Sequence, residues 1–252
     1  GQALAEAERL GYTELDPSAD IEGFDPAAKC AILASIAFNS RVVAGDVYRE
    51  GIANVTATDI AFAKRLGYEV KLLAIAEEHD GTIAARVHPA MVPREHPLAA
   101  VRDNFNAVFV EGERVGELMF YGRGAGGDPT GTSVVGDICD VARNVLDGAQ
   151  GMGCTCYTTK PVRPMDESYS QYYMLLEVAD EPGVLAGVAD VFGKNNVSIR
   201  SVWQEGREAQ AQLVLITHRA QERDFQATLS SLREHPSVTR IASVMRVEGG
   251  EA

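Results

Sequence analysis

Between residues 172 and 247 the apolar residues switch between a period of two and a period near 3.6, in the order βαββαβ. Strand patterns cover Tyr172 to Val178, Ser198 to Gln204, Ala209 to Thr217 and Ile241 to Val247. Helical patterns cover Gly183 to Asn195 and Gln221 to Glu234. That order admits few folds. The simplest is ferredoxin-like, an antiparallel sheet with two helices on one face. So small a sheet leaves edges that commonly pair with a second copy, so a homodimer or homotetramer is expected. The first turn, Asp180-Glu181-Pro182-Gly183-Val184-Leu185, joins strand to helix at a glycine that permits close backbone approach. Amides at that helix start can receive a carboxylate, although the same residues would close the loop with no ligand.

The preceding half is organised differently. Asp147 to Ser170 is rich in Gly, Thr, Pro and charge without apolar periodicity, and reads as a linker. The expected boundaries are 1–147, a linker over 148–170, and 171–248. Within the first unit Thr56 to Leu66 reads as a helix capped by Thr56 or Thr58, and Val70 to Ala76 and Ala84 to His88 as strands. Asn104 to Glu111 and Val115 to Tyr121 read as a hairpin about Gly112-Glu113-Arg114, and Thr132 to Leu146 as a helix. A mixed sheet with helices follows, and α/β (α+β) is the expected class.

The chain of 252 residues suits two ordinary domains, and its net charge of -13 argues against nucleic acid and anionic membranes. No apolar run reaches membrane-spanning length, and the opening residues form no signal peptide but an amphipathic helix entered partway along. Cys30, Cys139, Cys154 and Cys156 are too few and too unevenly placed for a disulfide framework, which fits a reducing cytoplasm. Cys154-Thr155-Cys156 has no partner pair, so no metal site is expected.

Chemistry concentrates near the start. The segment from Gly11 to Lys29 carries five carboxylates (Glu14, Asp16, Asp20, Glu22, Asp25) before an apolar helical run. Asp16-Pro17 reads as a turn, and Asp25-Pro26 as an N-cap with proline at the first helical position. The run Ala28 to Phe38 is too apolar for an exposed helix, which places Lys29 at the mouth of a buried one, facing the acids. The acids may be read as caps and solvated turn residues. They also suit a zwitterionic amino acid, with carboxylates on its ammonium and a lysine exchanging a proton with its oxygen. The spacing lacks the alternating acids and closing Glu of a calcium loop.

Gly122-Arg123-Gly124-Ala125-Gly126-Gly127 matches G-x-G-x-x-G between a strand and a helix. A dinucleotide turn also needs a second parallel strand ending in an acid about 20 residues on, and here a helix and the linker follow. A tight loop bringing backbone close to a ligand is the better reading, with Pro129-Thr130 opening the helix. His88-Pro89 and His96-Pro97 fall in a Pro-rich loop, Val87 to Leu98, and read as turn histidines.

Taken together these motifs resemble bacterial homoserine dehydrogenases carrying an appended ACT regulatory domain. The resemblance runs through Gly11-Tyr12-Thr13-Glu14, Asp16-Pro17, Asp20, Gly23, Asp25 and Lys29. It continues in Lys71 to Ala74, His88-Pro89, His96-Pro97-Leu98, Asn106 to Val110 and Tyr121 to Gly127 with Pro129-Thr130. The Asp180 to Leu185 turn and Asn195 to Ile199 resemble an ACT domain.

The resemblance implies NAD(P)-dependent interconversion of L-aspartate 4-semialdehyde and L-homoserine, on the route to threonine and methionine. It implies that Glu14 and Asp20 grip the substrate ammonium, that Asp25 belongs to the same polar cluster and orients it, and that Lys29 is the proton-exchanging group, or the partner of such a group, at the oxygen that becomes the hydroxyl. Gly11 and Gly126 would touch NADP or NAD at the nicotinamide end. Asp180, Gly183, Val184, Leu185 and Asn196 would receive a feedback effector, threonine, with help from a facing subunit. The family's nucleotide-binding domain has no counterpart here, so the chain is expected to match a C-terminal portion and, alone, to turn over little. A non-catalytic, threonine-sensing fragment is the alternative.

Overall fold

The computed structural model describes residues 2–11, 16–151, 153–207 and 210–249. The first half contains α1 (Gln2–Arg9), α2 (Ser18–Ile21), α3 (Phe24–Phe38), β1 (Tyr48–Arg49), α4 (Ala57–Arg65), β2 (Tyr68–His79) and β3 (Thr82–Pro93). It continues with β4 (Phe105–Gly112), β5 (Gly116–Arg123) and α5 (Gly127–Asp147). The second half contains β6 (Tyr169–Ala179), α6 (Val184–Lys194), β7 (Ile199–Arg207), β8 (Gln210–Thr217), β9 (Ala220–Gln221), α7 (Glu222–Arg233) and β10 (Val238–Val247).

The βαββαβ order folds as expected. Strands β10-β6-β8-β7 form an antiparallel sheet. Helices α6 and α7 cover one face, where Tyr172, Met174, Leu176, Leu213 and Leu215 meet Val188, Phe192, Phe225 and Leu232. The sheet does not stop there. The end of β10 pairs in parallel with β3 at Arg246↔Ala90 and Val247↔Met91, so one sheet crosses both halves. The β10 edge of the small sheet is therefore covered by β3 of the same chain.

The alternate side chains of β6 meet the first half. Tyr173 and Leu175 pack with Val214, Met245 and Val247 under Phe62 and Ala63 of α4. Helix α4 starts where the sequence places it: Thr56 accepts from the Asp59 amide at 3.2 Å, and Asp59 accepts from the Thr56 amide at 2.8 Å. On β2 and β3, α3 buries Ala27, Cys30, Ala31 and Ala34 against Ile83, Ala85 and Val87.

Three local readings need correction. Strand β3 runs through Pro93, so Val87 to Leu98 is not a loop throughout. Its edge is paired with β1 at Arg86 and Val87 and with β10 at Ala90 and Met91. Pro89, lacking an N–H, falls between those two pairings, which is where a strand tolerates proline. Helix α3 begins at Phe24 with Gly23 as its cap in the left-handed region (φ 78°), so Asp25 lies inside the first turn and is not the N-cap. Nor is α3 wholly buried, because Ile32 and Ile36 are more than half exposed.

The segment 148–170 is strapped to the first half. The Thr158 amide donates to Asn39 O at 3.0 Å, Ile83 and Arg163 exchange backbone bonds with Pro161 and Ile83, and Thr158 bridges Ser40. Among the described residues β4 and β5 pair only with each other, and α5 follows from Gly127, earlier than Thr132. Among the described residues no helix is long and apolar enough to cross a membrane.

Candidate functional site

The acidic segment is held by local geometry. Asp16 accepts from the Ser18 amide at 3.1 Å and the Ser18 hydroxyl at 2.5 Å, and these bonds hold its carboxyl below the usual range. That is the expected Asp-Pro turn. Helix α2 then carries Asp20, which is exposed, and Gly23 turns the chain into α3. The Lys29 amine sits 2.6 Å from Asp25 Oδ2, one turn apart on α3, with side-chain exposures of 61% and 43%. The structure thus places Asp25 and Lys29 in contact and Asp20 on the adjoining short helix. Glu14 falls at 12–15, outside the described residues.

An exposed ion pair of this kind adds at most about 1 kcal/mol to folding. On stability alone the pair therefore contributes little. As chemistry it is better placed: a carboxylate fixes an amine that remains open to an incoming polar group.

Two further features carry no role in the sequence analysis. Arg49 donates to Glu22 O at 2.7 Å and lies 3.4 Å from the Phe24 ring centroid, holding the α2–α3 corner. Its signal was weak, since β1 is two residues long. Lys71, half-buried on β2, donates to Val101 O, and burial lowers its proton affinity. A charge inside the apolar pattern of Val70 to Ala76 was the available signal.

The remaining candidates lie elsewhere. Gly11 (φ 70°) is exposed after α1. Gly126 (φ 123°) caps α5, where its conformation is closed to other residues and leaves the first helical amides open. Gly124 has a packing reason: a Cβ there would come within 1.5 Å of Asn106 Nδ2. The loop therefore offers one contact surface for a polar group, without the second strand that would complete a pyrophosphate cradle. No hydrogen bond or ion pair among the described residues joins this loop to α3.

His88 is fully buried and its Nδ1 lies 3.1 Å from Pro89 O. Burial and the charges of Arg246 and Arg86 push its pKa down to about 3, so it is neutral. His96 caps a short turn through the Leu98 amide and meets Phe109 edge-on at 4.7 Å. His96 thus lies in the turn expected of it, whereas His88 is a buried residue of strand β3 and not a turn histidine. No group of three or more potential metal ligands occurs among the described residues.

In the second half, Gly183 (φ 91°) starts α6 in the left-handed region, and Asp180 Oδ1 accepts from Gln204 Nε2 at 3.4 Å. Leu185 is exposed, whereas Val184 is buried in the core. Asn196 (φ 58°) follows the far end of α6, whose 11 residues span about 16 Å. Within one chain it does not share a pocket with the Asp180 to Leu185 turn.

The fold and these positions define a class: an α/β half with an acidic, lysine-bearing corner, fused through one sheet to a ferredoxin-like half. Comparison with known proteins gives the family. Residues 1–139 match the homoserine dehydrogenase family model, and residues 172–237 match that of the ACT domain. The homoserine dehydrogenase of Corynebacterium glutamicum is 48% identical over 98% of this chain and 56% of its own length. That of Mycobacterium tuberculosis is 49% identical over 98% of this chain and 58% of its own. A homoserine dehydrogenase structure from Thiobacillus denitrificans superposes with a TM-score of 0.89 at 35% identity, covering 98% of this chain and 58% of that one. One from S. aureus gives 0.71 at 30%, with 99% and 59% covered. The chain belongs to the homoserine dehydrogenase family, and it spans little more than half the length of these relatives.

Proposed function

We propose that the chain supplies the substrate-site and regulatory parts of an enzyme that interconverts L-homoserine and L-aspartate 4-semialdehyde. The observation that carries this is the Asp25–Lys29 pair at 2.6 Å on α3, with Asp20 on the preceding helix α2, inside the region matched to the family. Oxidation of homoserine removes a hydroxyl proton and a carbinol hydride. Lys29 is positioned to exchange the proton at that oxygen, while Asp25 fixes its amine. Asp20, with Glu14, provides negative charge for the substrate ammonium. A nicotinamide cofactor, NADP or NAD, accepts the hydride when bound, and Gly11 and Gly126 offer backbone without side-chain obstruction for its reactive end. The ACT half takes an amino-acid effector, threonine, at the Asp180 to Leu185 turn, with Asn196 supplied by a facing subunit of a dimer or tetramer. This arrangement suits threonine and methionine synthesis in the cytoplasm.

The test is oxidation of NADPH and of NADH by the full-length protein with aspartate semialdehyde. Turnover with either supports the reading, and none with both overturns it.

A second reading has its own support. The ACT half has a closed core and a glycine-opened turn, so threonine sensing without catalysis by this chain remains the alternative. Calorimetry of the chain with threonine at millimolar concentration tests it, and absence of heat counts against threonine.

A further inference from the structure

The most completely built polar cluster lies away from the acidic corner, where β10 joins β3. Arg246, with a side chain 7% exposed, forks onto Glu222 at the start of α7. Its Nε lies 3.2 Å from Glu222 Oε2, and its Nη2 lies 2.9 and 3.0 Å from the two carboxylate oxygens. The Tyr172 hydroxyl and the Gln226 amide each donate to Glu222 at 2.7 Å. Burial disfavours the charge on Arg246, but Glu222, Glu50 and Tyr48 outweigh it, and the guanidinium stays protonated. One donor remains. Arg246 Nη1 reaches across the halves to Glu50 Oε2 at 2.7 Å.

Glu50 is not needed to neutralise Arg246, because Glu222 already accepts two of its nitrogens. The use of Glu50 lies in where its backbone sits. Its amide donates to Val87 O at 2.8 Å, and Ile52, two residues on, donates to Ile21 O at 2.8 Å. Between them Gly51 lies against the same carbonyl so closely that a Cβ would come within 2.3 Å of it. Arg49, immediately before, holds Glu22 O and the Phe24 ring. A Cβ at Gly23 would in turn meet Val87, Arg49 and the Glu50 carbonyl. Residues 49–52 are thus the seat on which the corner between Asp20 and Asp25 rests.

We propose that Arg246 and Glu50 are positioning residues of the candidate substrate site: the last strand of the ACT half helps to hold, through this ion pair, the loop that seats Asp20 and Asp25. The pair, together with the Arg246 guanidinium 5.4 Å from the Tyr48 ring centroid, links β10 to that loop, and through it a displacement of β10 or α7 reaches the acidic corner. The functional side of this rests on the substrate reading above, while the positioning itself does not.

Hydrogen exchange on the chain tests the positioning. Glu50 is 37% exposed at its side chain and Arg246 keeps Glu222, so Glu50→Ala leaves the fold intact. The amides of Ile52, Glu22 and Gly23 should then exchange about tenfold faster, while those of Leu175 and Leu213 keep their rates. Glu50→Gln, which retains a neutral acceptor, should show a smaller rise. Wild-type rates at Ile52, Glu22 and Gly23 in Glu50→Ala, or an equal rise in the β6 and β8 amides, would overturn the proposal. In the full-length protein the same variant should raise KM for homoserine about tenfold with kcat nearly unchanged. Faster exchange with an unchanged KM would leave the positioning standing and remove Asp20 and Asp25 from the substrate site.

Discussion

Strand β6 and helix α5 both carry strong apolar patterns and meet opposite fates. In β6 the residues from Ser170 to Leu176 are all buried, because α6 and α7 cover one face and α4 the other. In α5 not one of 21 residues is buried, and Val134, Val135, Ile138, Val141, Val145 and Leu146 are all more than half exposed. An apolar stripe states which face seeks cover. Whether the same chain supplies that cover depends on contacts between distant segments, such as the pairing of β10 with β3. The ACT half is closed by its own helices and by α4. The β4–β5–α5 unit remains open among the described residues.

That contrast can be broken by substitution. The largest effect is expected at the junction, where Glu222→Ala would leave Arg246 with Glu50 alone and Tyr172 without its acceptor. Removing one partner of a buried pair costs about 3–5 kcal/mol, to be read from urea unfolding. Leu213→Ala, in the closed core, should cost about 2–5 kcal/mol by the same measurement.

A pH dependence comes next. The His88 pKa is pushed from 6.5 down to about 3 in the fold, so the unfolded chain binds this proton first. Stability from this group is complete above 6.5 and is lost progressively as pH falls toward 3. Glu248, whose carboxyl is raised by burial, takes up its proton more readily when folded and offsets part of that slope. His88→Gln should flatten the loss between 6.5 and the carboxylate range in unfolding series at stepped pH; an unchanged slope would remove His88 as its source. The smallest effect is expected on the open side. Leu146→Ala, at 85% exposure, should stay within about 0.5 kcal/mol of wild type. A loss as large as that of Leu213→Ala would mean that α5 is covered in solution.

Much of this was readable in the residues. The βαββαβ order followed from periodicity, because each of its elements has one clearly apolar face. The cap of α4 fell on Thr56, one of the two threonines the sequence offered, and the structure adds Asp59 as its reciprocal partner. Asp16-Pro17 was a turn for the reason expected, and the Asp25–Lys29 pair is a spacing of four on a helix. Other features depended on long-range geometry. Gly23 took the capping role assigned to Asp25 at a position where a Cβ would meet Val87 and the Glu50 carbonyl, which no local rule contains. Strand β3 ran through Pro89 because its edge partners are interrupted there. Glu50 and Arg246 are far apart in sequence, and neither belongs to a motif. Their link is visible only once β10 has docked beside β3.

The central claim is that the corner around Lys29 is a reaction site and not a solvated turn. Single-turnover hydride transfer by the full-length protein tests it most directly, comparing wild type with Lys29→Ala alongside NADPH binding. The account predicts a fall in hydride transfer of at least about a hundredfold, in the range expected of a proton-exchanging group, with NADPH affinity nearly unchanged. Hydride transfer at the wild-type rate in Lys29→Ala would contradict it.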